Sequence, residues 1–144
     1  MLLNKVPLSL YVHLPWCETQ CPYCDFSITT DPINGNDEKL AEAIIKDVNQ
    51  SKHLMAGRKF KTIYFGGGTP SLASTESIKH ILDSIKDKFL FNETEITLEM
   101  NPNDVSRDRI DELLMAGINR ISLGVQSYSN QELQALGRNH DRES

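Results

Sequence analysis

The chain has 144 residues, of which 39% are hydrophobic, and a formal net charge of -5. That is enough chain for one domain with its own core, and a mildly acidic balance without a Lys/Arg block excludes the electrostatic footprint of a nucleic-acid binder. No apolar run approaches the roughly 20 residues of a membrane helix, and Met1–Pro7 has a single lysine and no long apolar stretch behind it, so neither a transmembrane segment nor a secretory signal is expected.

Along the chain, strand patterns alternate with helix patterns. Leu8 to Leu14 alternates Leu8, Leu10, Val12 and Leu14 with Ser9, Tyr11 and His13, which predicts a strand. From about Asp37 to Gln50, Leu40, Ile44 and Val48 share one helical face. Thr62 to Phe65 is a β-branched and aromatic run, a second strand. Ser74 is a predicted N-cap, followed by helical spacing at Ile78, Ile81, Leu82 and Ile85. Ile96 and Leu98 alternate with Thr97 and Glu99 in a third strand. Ser106 opens a helix containing Ile110, Leu113 and Leu114, which Gly117 stops. Ile121, Leu123 and Val125 predict a fourth strand. Ser129 and Glu132 form a capping box before Leu133 and Leu136, with Gly137 closing that helix.

Four strand–helix units in a row imply a parallel α/β sheet with right-handed crossovers. Four do not close a barrel. The chain is therefore read as one domain, residues 1–144, forming the first four units of a larger barrel, with an unprotected edge on its last strand if nothing follows. Strand parity adds a functional hint. Ser9, Tyr11 and His13 share a face, as do Thr97 and Glu99, and as do Ser122, Gly124 and Gln126. One side of the sheet is expected to pack under helices and the other to line a polar lumen. Cys17, Gly66, Glu99 and Gln126 then fall at strand C-terminal ends, where α/β barrels build their sites.

All three cysteines, Cys17, Cys21 and Cys24, lie in one loop with the spacing C-x3-C-x2-C. An odd, tight set suits a disulfide framework poorly. With no signal segment, the cytoplasm is the expected setting, where thiols stay reduced. Iron–sulfur clusters are usually held by four thiolates; three leave one metal position open, as in a catalytic zinc site. Spacing alone also leaves open a zinc ion with a distant fourth ligand, or a chance grouping.

The run Tyr-Val-His-Leu-Pro-Trp-Cys-Glu-Thr-Gln-Cys-Pro-Tyr-Cys-Asp-Phe at 11–26 resembles the signature loop of the radical S-adenosylmethionine (SAM) superfamily. More narrowly it resembles the oxygen-independent coproporphyrinogen III oxidase family and its haem-chaperone branch. The resemblance continues through Gly-Gly-Gly-Thr-Pro-Ser (66–71), Glu-Met-Asn-Pro (99–102), Ser-Leu-Gly-Val-Gln-Ser (122–127) and Leu-Gly-Arg-Asn-His (136–140). It implies a partial (β/α)6 barrel and a [4Fe-4S] cluster on Cys17, Cys21 and Cys24. The open iron would be chelated by SAM, and an electron from the cluster would cleave SAM to a 5′-deoxyadenosyl radical. It also implies SAM contacts from Tyr11, Tyr23, Gly67, Gly68, Thr69, Glu99, Gln126 and Arg138. Glycines permit close backbone approach, a carboxylate at Glu99 suits an ammonium or ribose hydroxyls, and a guanidinium at Arg138 suits a carboxylate.

Read without the resemblance, Glu99 is a solvated or paired carboxylate, Arg138 a surface arginine, and Tyr11 and Tyr23 core packing. His13 is read as structural, and Trp16 as packing the cluster loop against water. The oxidase branch usually carries another cysteine two residues after its third ligand. This chain has Phe26 there, which favours the haem-chaperone branch over the oxidase. The implied partners are SAM, haem or a porphyrinogen, a reductant protein and haem-acceptor proteins, with haem bound by later parts of the longer protein.

Overall fold

The computed structural model describes residues 6–55, 58–87 and 91–144, with the side chains of 91 and 92 set aside. Most of the Met1–Pro7 segment discussed above lies outside these residues. Four parallel strands form one sheet in the order β1-β2-β3-β4: β1 Leu8–Leu14, β2 Phe60–Gly67, β3 Phe91–Met100 and β4 Arg120–Leu123. The helices between and after them are α1 Asn36–Gln50, α2 Lys52–Met55, α3 Thr75–Lys86, α4 Arg107–Ala116 and α5 Asn130–Ala135. Short 3-10 turns at Pro70–Leu72 and Pro102–Asp104 follow β2 and β3.

The period-2 patterns form strands because one side chain in two is buried. Val12, Leu14, Ile63, Phe65, Ile96, Leu98 and Met100 point to the helix side and meet Ala41, Val48, Ile78, Ile81, Leu82, Ile85, Leu113 and Ala116. Burying each large aliphatic side chain stabilises the fold by about 1.5–3 kcal/mol. The helix α3 carries four of these contacts at i, i+3, i+4 and i+7, and its ends match its sequence. Ser74 caps it by accepting from Ser77 N–H, and Lys86 lies in its last turn. Likewise α4 starts on Ser106, which accepts from Arg109 N–H, and stops at Gly117 with φ 111°, a conformation that glycine adopts without strain. Of the leucines and isoleucine named in α4, Leu113 at 1% exposure and the partly buried Ile110 face the core, whereas Leu114 is 62% exposed.

The other face of the sheet is polar, as the parity predicts. In register, Ser9, Tyr11 and His13 lie beside Thr62, Tyr64 and Gly66, Tyr64 beside Thr97, and Glu99 beside Ser122. Thr62 donates to Ser9 Oγ at 2.8 Å, Tyr11 and Tyr64 stack with ring centroids 6.2 Å apart, and Arg120 reaches Thr97 Oγ1 at 3.2 Å.

Two expectations fail locally. The fourth strand ends at Leu123, not Val125. Gly124 N–H still bonds Met100 O, but Val125 N–H then turns back to Leu123 O and Ser127 N–H to Val125 O, so tight turns replace the ladder. The capping box of α5 is only half formed. Ser129 accepts from Glu132 N–H at 3.5 Å, but the Glu132 carboxylate takes the Ser127 hydroxyl, and Ser127 Oγ in turn accepts from Ser129 N–H.

One buried carboxylate ties the helix layer together. Asp37, in the first turn of α1, is 6% exposed. It accepts from Ser74 N–H at 3.0 Å, Ser74 Oγ at 2.6 Å and Ser77 Oγ at 3.1 Å. Burial pushes its carboxyl upward, but the Ser74 and Ser77 hydrogen bonds outweigh burial and hold it below its ordinary value. A depressed carboxyl contributes stability that is complete above the unfolded value of about 3.9 and is lost as pH falls through the folded one. Asp37→Asn is expected to cost about 2 kcal/mol at neutral pH, as hydrogen bonds to a charged group do. It should also flatten the acid limb of the stability curve. Urea midpoints at about pH 7 and about pH 3 test both; an unchanged acid limb would contradict this account.

Candidate metal and cofactor site

Beyond the strand ends, the β1–β2 ladder continues through the loops. Gly68 N–H donates to Leu14 O at 2.8 Å and Thr69 N–H to Trp16 O at 2.6 Å. On the far side of the cysteine segment, Thr29 N–H donates to Pro15 O and Cys17 N–H to Thr29 O, at 2.9 and 3.0 Å. Trp16, 8% exposed, is pinned between these bonds, as its reading as a packing residue requires. The three thiols are free and half-buried.

The glycine run is shaped by what surrounds it. Gly67 has φ 118°, and a Cβ there would lie 2.7 Å from the His13 ring. At Gly68 a Cβ would lie 2.4 Å from Trp16 O and 2.7 Å from Pro15 O. At Gly66 it would meet Tyr64, Glu99 and Tyr11 at 2.9–3.0 Å. Those three side chains form one group above the strands. Tyr64 O–H donates to Glu99 Oε1 at 2.7 Å, and Gly67 N–H to Glu99 Oε2 at 3.2 Å. Burial, then the Glu99 charge, raises the Tyr11 phenol above its ordinary value. Tyr64 is raised by burial and Glu99 against the pull of Ser122. His13 is held by contacts within the protein: Nε2 faces Ser27 O at 2.8 Å and Nδ1 faces the Tyr11 hydroxyl at 3.4 Å.

A cavity of about 340 Å³, of the size of small-molecule sites, brings the predicted residues together. Cys17, Cys21, Cys24, Tyr23, Gly67, Gly68, Thr69, Glu99, Gln126 and Arg138 all line it. Tyr11 does not; it joins through Glu99 and Gly66 from behind. Gln126 reaches the cavity from the turn after β4, not from the strand end, and takes a left-handed backbone at φ 65°. Left-handed backbone at a residue other than glycine costs energy and recurs at functional sites. Phe26, 64% exposed, sits at the rim.

The sequence reading missed Tyr64 and Asn101. Tyr64 shares the Gly66 face of β2, and Asn101 stands in the quoted Glu-Met-Asn-Pro run, so strand parity and that motif were the available signals. Arg138 donates from Nη2 to Asn101 Oδ1 at 2.6 Å and to Gly124 O at 3.1 Å, and from Nη1 to Cys21 Sγ at 3.5 Å. Asn101 Nδ2 donates to Thr69 Oγ1 at 3.3 Å, and Thr69 Oγ1 to Cys17 Sγ at 3.6 Å.

The donor chemistry fits an iron–sulfur cluster with one open position. Three thiols line the cavity, and Met100, which also borders it, is 3% exposed and belongs to the apolar core. Burial raises the Cys17 thiol, helped by Cys24 and Cys21 and opposed by the Thr69 hydrogen bond and Arg138. A metal is what converts such thiols to thiolates. Among the described residues no three His, Cys, Asp or Glu side chains gather around a single ion; the thiolates of a multi-iron cluster bind separate irons and need not converge on one point. Both Arg138 Nη atoms are engaged by protein, while Nε is buried without a partner among the described residues. A bound carboxylate is the kind of acceptor that satisfies such a donor.

Fold and site together define a class: a parallel α/β protein that presents an open three-thiol loop beside a ligand cavity at its strand C-terminal ends. Residues 11–144 match the radical SAM superfamily. The chain is 42% identical over 140 residues to the heme chaperone HemW of Escherichia coli K12, covering 96% of this chain and 37% of that protein. It is 38% identical over 133 residues to the mitochondrial radical S-adenosyl methionine domain-containing protein 1 of Bos taurus, covering 92% and 30%. The solved structure of coproporphyrinogen III oxidase (HemN) from Escherichia coli, a radical SAM enzyme, superposes with a TM-score of 0.83 at 30% identity, over 95% of this chain and 32% of that one. The chain belongs to the radical SAM superfamily, as a HemN/HemW-like member, and its four strand–helix units are part of that fold. It spans about a third of the length of the proteins it matches. Membership implies a [4Fe-4S] cluster and SAM.

The two outer glycines of the run separate stability from site geometry. Gly68→Ala drives a methyl into backbone that cannot swing aside, and is expected to cost about 1–3 kcal/mol. Gly66→Ala meets movable side chains and should cost less. Thermal melts of the two variants check this; a Gly68→Ala melt at the parent temperature would contradict the close loop contact.

Proposed function

We propose that this protein is a haem chaperone with a radical SAM core, binding haem and delivering it to haem proteins in the reducing cytoplasm. Its residues 1–144 are the N-terminal part of that core. The observation that carries the reading is the convergence on one cavity of three thiols, a glycine loop, Glu99, Gln126 and Arg138. The 42% identity to a protein named as a heme chaperone supports the chaperone assignment, and so does Phe26, which stands where the oxidase branch usually has a cysteine. Among the described residues no helix is long and apolar enough to cross a membrane.

In this reading Cys17, Cys21 and Cys24 would hold a [4Fe-4S] cluster, whose chemistry would be to supply the electron for reductive cleavage of SAM. Gly67 and Gly68 expose backbone to the SAM amino group, with Thr69 beside them. Glu99, fixed by the Tyr64 hydroxyl and Gly67 N–H, accepts from the ligand's ammonium or ribose hydroxyls. Arg138 pairs with its carboxylate, and Gln126 offers both a donor and an acceptor. Tyr23, raised by burial and the Cys21 thiol against Arg138, lies beside the ligand at the rim, and Tyr11 backs Glu99. A reductant protein, haem and haem-acceptor proteins are the further partners. The similarity to a solved coproporphyrinogen III oxidase favours a second reading, oxidative decarboxylation of coproporphyrinogen III to protoporphyrinogen IX.

Anaerobic reconstitution of the purified protein is expected to give about four irons and four sulfides per chain; zinc in their place would overturn the cluster. Supplied with SAM, a reductant and coproporphyrinogen III, the loaded protein should leave the porphyrinogen unchanged, and it should pass bound haemin to an apo haem protein. Conversion of the porphyrinogen would replace the chaperone reading with the oxidase one.

A further inference from the structure

The geometry points to Asn101 as the positioning residue that aims hydrogen-bond donors at two of the cluster thiolates and so sets the reduction potential of the cluster. The inference rests on the cluster assignment above.

Arg138 has only donors to offer, and its Nη2 lies 2.6 Å from the Asn101 side chain. The amide oxygen of Asn101 must therefore face Arg138, which turns the amide nitrogen toward Thr69 at 3.3 Å. Thr69 Oγ1 is thereby occupied as an acceptor. A hydroxyl has one hydrogen, and the remaining neighbour is Cys17 Sγ at 3.6 Å, a normal reach for a hydrogen bond to the larger sulfur atom. Thr69 is 8% exposed, so water does not compete freely for that hydrogen. On the other side, the same amide oxygen, by the shorter of the two bonds that Nη2 makes (the other goes to Gly124 O at 3.1 Å), holds the guanidinium so that Nη1 meets Cys21 Sγ at 3.5 Å. One amide just after β3 thus helps to aim two sulfur-directed donors carried by two other segments, the loop after β2 and the segment after α5.

Hydrogen bonds to cluster sulfurs stabilise the more negative, reduced state and are a main lever on cluster potential. Asn101→Asp presents oxygen to both neighbours. It draws the Thr69 hydrogen away from Cys17, pairs with Arg138 and adds a negative charge. Asn101→Leu removes the clamp without adding charge.

The test is the midpoint potential of the anaerobically reconstituted protein, followed by the electron paramagnetic resonance signal of the reduced cluster, with iron and sulfide content measured on each sample. Asn101→Asp and Thr69→Val are expected to shift the potential downward, while Thr69→Ser, which keeps the hydroxyl, stays at the parent value. Asn101→Leu combined with Thr69→Val should shift less than the sum of the two, because the Thr69 part is shared. Fully loaded Asn101→Asp and Thr69→Val proteins at the parent potential would overturn the inference and leave the cluster assignment standing. If Asn101→Asp does not load, Thr69→Val against Thr69→Ser decides alone: equal potentials overturn it. A parent that takes up no iron–sulfur cluster overturns the cluster assignment and this inference with it.

Discussion

The contact on which the rest depends is the approach of the glycine run to the backbone of Pro15 and Trp16. Two parallel strands ordinarily part company at their ends, yet here the ladder runs on through Gly68 and Thr69. It can do so only because no side chain stands between the backbones: a Cβ on Gly68 would sit 2.4 Å from Trp16 O. That closeness puts Cys17 against Thr69 and Cys21 within reach of Arg138. In the eight-residue stretch Cys17–Cys24 no residue is fully buried, so its position is borrowed from the sheet through these backbone bonds.

The sheet can serve the site because its two faces do different physical work. The helix side holds the apolar core, with Ile63, Phe65 and Leu98 fully buried. The lumen side is left free for groups that bury badly: Glu95, Thr97, Glu99, Arg120 and two stacked tyrosines. Such groups are costly without partners, and here they partner one another across strands. Strand side chains alternate with period two, so the register that buries Ile63 against Ile96 is the same register that places Tyr64 near Glu99. The carboxylate is aimed by the core on the opposite face.

Much of this was legible in the sequence, for identifiable reasons. Strand β1 has the predicted ends because alternation runs cleanly from Leu8 to Leu14 and Pro15 ends it. Helices α3 and α4 begin at their predicted Ser caps, and α4 stops at its glycine, because those signals are local backbone chemistry. What escaped depends on tertiary contacts. Val125 reads as a strand residue by pattern, but no further strand pairs there among the described residues, and the chain curls into turns. Glu132 is spaced for a capping box, but the Ser127 hydroxyl is the nearer partner. Of the site, the residue types and their order were visible, whereas the bond from Tyr64 to Glu99 and the amide between Arg138 and Thr69 exist only once register and loop closure are set.

The same dependence bears on where the site is rigid and where it yields. Glu99 is held through both oxygens, by a phenol and a backbone amide, and it projects from a strand with neighbours on each side. Arg138 lies three residues beyond the end of a six-residue helix, yet it is anchored by Asn101, Gly124 and Cys21, on three separate segments. Gln126 has neither kind of support. It lies exposed on a tight turn with a left-handed backbone, three residues beyond the last strand position. Among the described residues the cavity lining is therefore tied by hydrogen bonds at Glu99, Arg138 and the glycine run, because each meets a neighbouring segment, and Gln126 is the lining residue that the turn after β4 leaves exposed.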